Sequence, residues 1–319
     1  MAAYISSLGH DQYSSNNFDE LFNLPRYKRY LDFTSHQAND QLENQSSKRL
    51  KFSQDNEFVN VEKRVVEFSN KELLPCLKIV AGSVYIPKDD PKKPLGDDAN
   101  FIHELYQTIG VADGVGGWAK HGIDAGIYAR ELMKNSHIAT DSEAMKGDVN
   151  PKRVLEEAYK NTHSKGSSTA CIISLNSERS SIVAANVGDS GFLLIRKGKI
   201  IYKSPIQQRG GSRCPYQLGN CKDNPSVAHE MELNVEMDDI LMAGTDGMLD
   251  NMNDSEIEEI VQRAINDKLK PKELAKKIAN IALYNSFDRY ADTPYARASK
   301  GRHRGGKVDD ITVIVAYIQ

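Results

Sequence analysis

Only four cysteines occur in 319 residues, Cys76, Cys171, Cys214 and Cys221, too few to staple a chain of this length. No two are spaced C-x-x-C, and the seven-residue step from Cys214 to Cys221 fits no common zinc pattern. A disulfide scaffold is excluded, and thiols in a reducing compartment are expected. Charge of one sign is not in excess either: 41 Lys and Arg face 44 Asp and Glu, a net charge of −3. Such a balance gives no overall pull toward nucleic acid or an anionic membrane. Mean hydropathy is −0.53, and no apolar run approaches the ~20 residues of a membrane-spanning helix, so no integral membrane segment is expected. Residues 1–25 contain no Lys, no Arg and no apolar core, unlike a secretory leader. Residues 1–50 hold five basic residues against six acidic ones, unlike a mitochondrial presequence.

Two regions of different character make up the chain. The stretch 34–60 is rich in Asn, Gln, Ser, Asp and Lys, with Ala38, Leu42, Leu50, Phe52, Phe58 and Val59 as its only apolar residues. Too little surface can be buried there to offset the ordering of the chain, so residues 1–75 read as a largely disordered extension. Its Lys48-Arg49-Leu50-Lys51 cluster reads as a solvated charge run. From residue 76 to 319 the pattern is globular. Strand-like runs are expected at 78–86, 100–105, 107–112, 169–175, 181–187, 191–196, 199–203 and 239–243, with Lys197-Gly198-Lys199 as a hairpin turn. Helices are expected at 122–137 and 151–164, the second opened by Pro151. Ser255-x-x-Glu258 reads as a capping box before a helix facing inward through Ile257, Ile260, Val261, Ala264 and Ile265. Pro271 opens another helix, with Leu274, Ile278 and Ile281 inward. The segments 205–230 and 288–308 read as irregular. The last strand, Ile311 to Ile318, is apolar on both faces and is expected to be central. Strands in blocks with helices in pairs predict an α+β fold with antiparallel sheets covered by helical hairpins.

The informative residues are aspartates at strand ends. Asp97 and Asp98 precede a strand, and Asp113 closes the run from Thr108. Asp189 and Asp246 each follow a β run, while Asp309 and Asp310 stand before the last strand. One Asp-Gly pair is ordinarily a β-turn. Five such sites beside apolar strands can instead gather carboxylates at one rim. A cluster of that kind repels itself unless cations compensate, and oxygen-only ligands suit Mg²⁺ or Mn²⁺.

In this respect the sequence resembles the metal-dependent type 2C serine/threonine protein phosphatases. The resemblance rests on Gly96-Asp97-Asp98-Ala99, Val111-Ala112-Asp113-Gly114-Val115-Gly116-Gly117-Trp118 and Gly166-Ser167-Ser168-Thr169-Ala170. It continues through Ala185-Asn186-Val187-Gly188-Asp189-Ser190, Ala243-Gly244-Thr245-Asp246-Gly247 and Asp309-Asp310-Ile311-Thr312. The form around Trp118 and Pro215-Tyr216-Gln217-Leu218 look closest to the branch that includes a mitochondrial phosphatase of coenzyme Q biosynthesis. The resemblance implies a four-layer α/β/β/α sandwich of two antiparallel sheets flanked by helical pairs. It implies two Mg²⁺ or Mn²⁺ ions, with a third, weaker one. Asp113 would bridge both metals, Gly114 would offer its carbonyl to one, and Asp246 and Asp309 would ligate the other. Asp97 would hold the centre through water beside Asp98, and Asp189 would help with the third ion. Phosphorylated proteins are the implied substrates, cleaved by an activated water without a phosphoenzyme, and a monomer is expected. The resemblance points to mitochondria, whereas the acidic, Arg-poor N-terminus points to the cytosol.

Two positions depart from the family. Where it often has His after the first Asp-Gly as general acid, this chain has Val115, leaving His121 as a candidate. Where it has Arg to grip phosphate, this chain has Lys93, a point charge without a bidentate fork. Two other readings were open from the residues. Thr245-Asp246-Gly247-Met248-Leu249 is similar to the nucleophile loop of haloacid-dehalogenase phosphatases, but Gly244 occupies the position of the first Asp. A non-catalytic scaffold would require lost ligands, and Asp113, Asp246 and Asp309 are all present.

Overall fold

The computed structural model describes residues 77–210 and 213–319. The expected extension over 1–75, with its basic cluster, lies outside the described residues.

Twelve strands and six helices are laid out among the described residues. They run in order β1 (Ile79–Ile86), β2 (Asp98–His103), β3 (Thr108–Asp113), α1 (Ala125–Ala144), α2 (Pro151–Asn161), β4 (Ser167–Ser168), β5 (Ala170–Asn176) and β6 (Ser181–Val187). There follow β7 (Gly191–Arg196), β8 (Lys199–Lys203), β9 (Leu218–Gly219), β10 (His229–Asn234), β11 (Ile240–Gly244) and α3 (Asp246–Leu249). The chain ends with α4 (Asp254–Asn266), α5 (Pro271–Phe287), α6 (Pro294–Ala298) and β12 (Ile311–Ile318). The strands form two five-stranded sheets in the orders β1-β12-β11-β7-β8 and β10-β6-β5-β3-β2, with β4 and β9 as a small separate pair. Every pairing is antiparallel.

Period-two alternation explains the layers. Along β5, Cys171 and Ile173 point between the sheets, where they meet Phe192, Leu194, Leu241, Ala243, Ile314 and Ala316. Ala170 and Ile172 point the other way, onto Tyr128, Leu132, Val154 and Leu155 of α1 and α2. Both faces of the strand are thus buried, and its sequence is a nearly continuous apolar run. The helix α5 covers the outer face of the first sheet along β1 and β12. The result is the α/β/β/α sandwich, with β12 inside its sheet between β1 and β11.

Local signals set the element ends. Asn150 caps α2 by accepting from the Arg153 N–H (3.1 Å), and Asp124 caps α1 by accepting from Gly126 (2.9 Å). The cap of α4 lies two residues before the expected one. The Glu256 carboxylate accepts from the Asn253 N–H at 2.9 Å, and Ser255 is already inside the helix. Ile257, Val261 and Ala264 are buried as expected, but Ile265 is exposed. The stretch at 205–230 read as irregular contains the two-residue β9 and ends as the edge strand β10 begins at His229, and the loop at 288–308 contains α6.

Candidate active site

Strand ends from both sheets converge on one rim. In the β2–β3 ladder Asp98 lies directly opposite Asp113, and Asp97 immediately precedes β2. In the other sheet β11 ends at Gly244, so that Asp246 opens α3, and Asp309 and Asp310 lead into the neighbouring β12. The two sheets are bolted together here. One oxygen of buried Asp98, Oδ2, accepts from both the Thr245 and the Thr312 hydroxyls at 2.7 Å. Asp310 gathers the approach to β2, accepting from the Asp97 N–H (3.0 Å), the Lys88 N–H (2.9 Å) and the Tyr85 hydroxyl (3.2 Å).

Two glycines make this convergence possible. Gly96 adopts φ +61°, and a Cβ there would lie 2.2 Å from an Asp310 carboxylate oxygen. At Gly114 a Cβ would come within 2.6 Å of the Asp97 carbonyl, the same oxygen that accepts from the Gly114 N–H at 3.0 Å. Asp113 is held from its other side by Thr169, whose hydroxyl accepts from the Asp113 N–H at 3.0 Å.

Three ammonium groups stand among these acids. Lys307 Nζ contacts Asp246, lies 2.9 Å from Asp309 and 3.6 Å from Asp250. Its backbone is fixed by Asn251, which accepts from the Lys307 N–H (2.9 Å) and donates to the Lys307 carbonyl (2.8 Å). Lys88 Nζ lies 3.2 Å from Asp309, 3.5 Å from Asp310 and 3.7 Å from Asp97. Lys93 Nζ donates to Asp97 at 2.9 Å. Burial alone would lower the Lys307 ammonium, but Asp246, Asp309, Asp250 and Asp113 outweigh it and raise it. Burial would likewise raise Asp309, yet Lys307 and Lys88 hold it below the usual carboxylate range.

The cations do not match the acids. Asp97, Asp98, Asp113, Asp189, Asp246, Asp250, Asp309 and Asp310 are met by Lys88, Lys93, Lys307 and Arg213, the last bonded to Asp250 at 3.1 Å. Desolvation, then the charges of Asp246, Asp98 and Asp309, push Asp113 well above the ordinary carboxyl range. Burial, followed by Asp246, pushes Asp189 up to about 7, although Gln208 Nε2 donates to it at 2.7 Å. Burial and Asp246 raise Asp250 to about 6. The oxygens Asp98 Oδ1, Asp189 Oδ1 and Asp246 Oδ1 are buried with no hydrogen-bond partner. Buried acceptors left unpaired in an acid-rich rim, with oxygen donors only, fit a hard divalent cation.

The rim therefore unites Asp97, Asp98, Asp113, Gly114, Asp189, Asp246 and Asp309, all singled out in the sequence. Lys93 is there too, but its ammonium is engaged by Asp97. Val115 is half-buried beside the acids, its N–H donating to Ser167 at 2.9 Å. His121 is exposed, with its ring against the edge of Trp118, and no bond ties it to the acids. Lys88, Lys307, Asp250 and Gln208 are additions that the sequence reading did not foresee. Only Lys307 carried a signal, standing two residues before Asp309.

Comparison with known proteins decides the family. A model for stage II sporulation protein E matches residues 103–319. A protein phosphatase PTC7 homolog from Drosophila grimshawi is 34% identical over 246 residues, covering 70% of this chain and 80% of the fly protein. The chain belongs to the type 2C family of metal-dependent protein phosphatases. A probable protein phosphatase 2C 55 of Arabidopsis thaliana is 45% identical over 247 residues, 76% of this chain and 52% of the plant protein. This type 2C chain thus spans about half the length of that relative. The X-ray structure of the photosystem II phosphatase PBCP superposes with a TM-score of 0.68 at 32% identity, covering 76% of this chain and 99% of that one. The type 2C assignment sets aside the haloacid-dehalogenase reading of Thr245–Leu249.

Proposed function

We propose that this chain is a protein serine/threonine phosphatase whose acid rim holds two divalent cations, Mg²⁺ or Mn²⁺. The observation that carries the proposal is the excess of buried, partly unpaired carboxylate oxygens at the positions of the family's motifs. Asp113 would be shared by both ions, Gly114 would lend its carbonyl to one, and Asp246 and Asp309 would hold the other. Asp97 would act through water, and Asp189 with Asp246 would take a weaker third ion. Bound there, the cations would supply a water ionised near neutral pH as the nucleophile for phosphorus and would neutralise charge on the phosphoryl oxygens.

The chain's own groups do the rest. The hydroxyls of Thr245 and Thr312 orient Asp98, so the wall behind Asp113 is fixed before substrate arrives. Lys93, 15% exposed at its side chain, can leave Asp97 and meet phosphate as a point charge. Val115 has no proton to give, so leaving-group protonation falls to another group. Cys171 does not compete as a nucleophile, because its thiol lies between the sheets and is pushed up to about 12 by burial. The phosphatase domain would be residues 76–319, acting as a monomer on phosphorylated proteins.

The proposal is tested with a phosphothreonine peptide and chelator-stripped protein. No phosphate should be released until Mn²⁺ or Mg²⁺ is added. Full release in excess chelator, after metal removal has been verified, would overturn it.

A further inference from the structure

A second group of ligating side chains sits away from the acid rim. The strand β2 runs from Asp98 at the rim to His103, about 17 Å at roughly 3.3 Å per residue. The helix α1 starts beside the rim, where a Cβ on Gly126 would lie 2.4 Å from the Gly96 carbonyl. It then carries His137 and Asp141, four residues apart and therefore on one face. His103 is 7% exposed, and its Nε2 lies 3.0 Å from Asp141 Oδ1. Its ring stacks on that of His137 with centroids 4.3 Å apart. One ligand atom from each of the three residues lies within 4.8 Å of the others. Among the described residues no hydrogen bond claims either nitrogen of the half-buried His137 ring.

We propose that His103, His137 and Asp141 form a zinc-class site that clamps the outer end of β2 to α1. Two imidazole nitrogens and one carboxylate oxygen favour Zn²⁺ over the harder Mg²⁺ and Mn²⁺. Three protein ligands leave a fourth position for water, and the half-exposed Asp141 provides an entry from solvent. The Tyr106 N–H donates to His103 Nδ1 at 3.3 Å, which places the His103 proton on Nε2, facing Asp141. Zinc takes that proton's place, the proton moves to Nδ1, and the long bond from Tyr106 is given up. The sequence conceals the site because His103 and the His137/Asp141 pair are more than thirty residues apart.

The full chain, stripped with chelator, is titrated with ZnCl₂, and retained zinc is measured after gel filtration for wild type, His137→Ala and Asp141→Asn. Zinc held at the acid rim is common to all three. Wild type should retain one equivalent more than either variant, or bind that equivalent at least tenfold more tightly. Cobalt substitution should give wild type a visible absorption band that both variants lose. His137 and Asp141 are partly exposed, and circular dichroism checks that each variant folds. Equal zinc retention and equal cobalt spectra in wild type and a folded variant would overturn the proposal.

Discussion

At the scale of single residues, Lys307 is the group that makes the acid rim foldable without metal. Its ammonium stands between Asp246, Asp309 and Asp250, and Asn251 holds its backbone there. Removing a half-buried cation leaves carboxylates facing one another without compensation. Lys307→Met should therefore destabilise metal-free protein by roughly 1–3 kcal/mol. With Mn²⁺ present the loss should shrink, because the ion supplies the missing charge. Denaturant melts of wild type and Lys307→Met, each with chelator and with Mn²⁺, check this. An equal loss under both conditions would mean that Lys307 serves packing alone. The acids of this constellation other than Asp250 were legible in the sequence because each sits near a strand end beside glycine or a second acid, whereas Asp250 closes the short helix α3 with neither beside it. Lys88 and Lys307 were not, because which ammonium reaches which carboxylate depends on how the end of β1 and the 288–308 loop fold onto the rim.

At the scale of elements, the sandwich followed from apolar runs buried on both faces, as in β5 and β12, and the hairpin from β7 to β8 followed from its turn. Three features escaped. The edge strand β10, His-Glu-Met-Glu-Leu-Asn, does alternate, with Met231 and Leu233 packed on the core, but it lacks the β-branched residues that mark interior strands. The short helices α3 and α6 have too few turns to show a period. The start of α4 could be read two ways, since Asn253-x-x-Glu256 fits a capping box as well as Ser255-x-x-Glu258 does. The bond from the Asn253 N–H to Glu256 decides for the former. Glu256→Ala should then cost about 1 kcal/mol, in the range of a lost cap, whereas exposed Ser255→Ala should stay within about 0.5 kcal/mol. Thermal unfolding of the two variants checks the order, and a larger loss at Ser255 would restore the other reading.

At the scale of the whole molecule, the acid rim links stability to pH. Asp189, pushed up to about 7, and Asp250, raised to about 6, bind protons in the folded state that the unfolded chain releases near pH 4. Their contribution is complete below the ordinary carboxyl range and is lost as pH rises through about 7. Asp309 has the opposite sign, but its low value completes its contribution below pH 5 and leaves it flat above. Metal-free protein should therefore melt at a lower temperature at pH 8 than at pH 5. Mn²⁺ should raise the melting temperature more at pH 8, where it meets ionised acids. A metal-free melting temperature that rises from pH 5 to pH 8 would contradict the uncompensated rim.

The most direct measurement is a calorimetric titration of chelator-stripped protein with Mn²⁺, with phosphate release from a phosphothreonine peptide assayed on the same samples. In wild type, release should rise in step with occupancy. In Asp246→Asn, which removes an acid from the rim's centre, binding should weaken and release should fall at least a hundredfold. Unchanged Mn²⁺ binding in Asp246→Asn, or full release before any Mn²⁺ is bound, would contradict the assignment of this rim as a metal-dependent phosphatase centre.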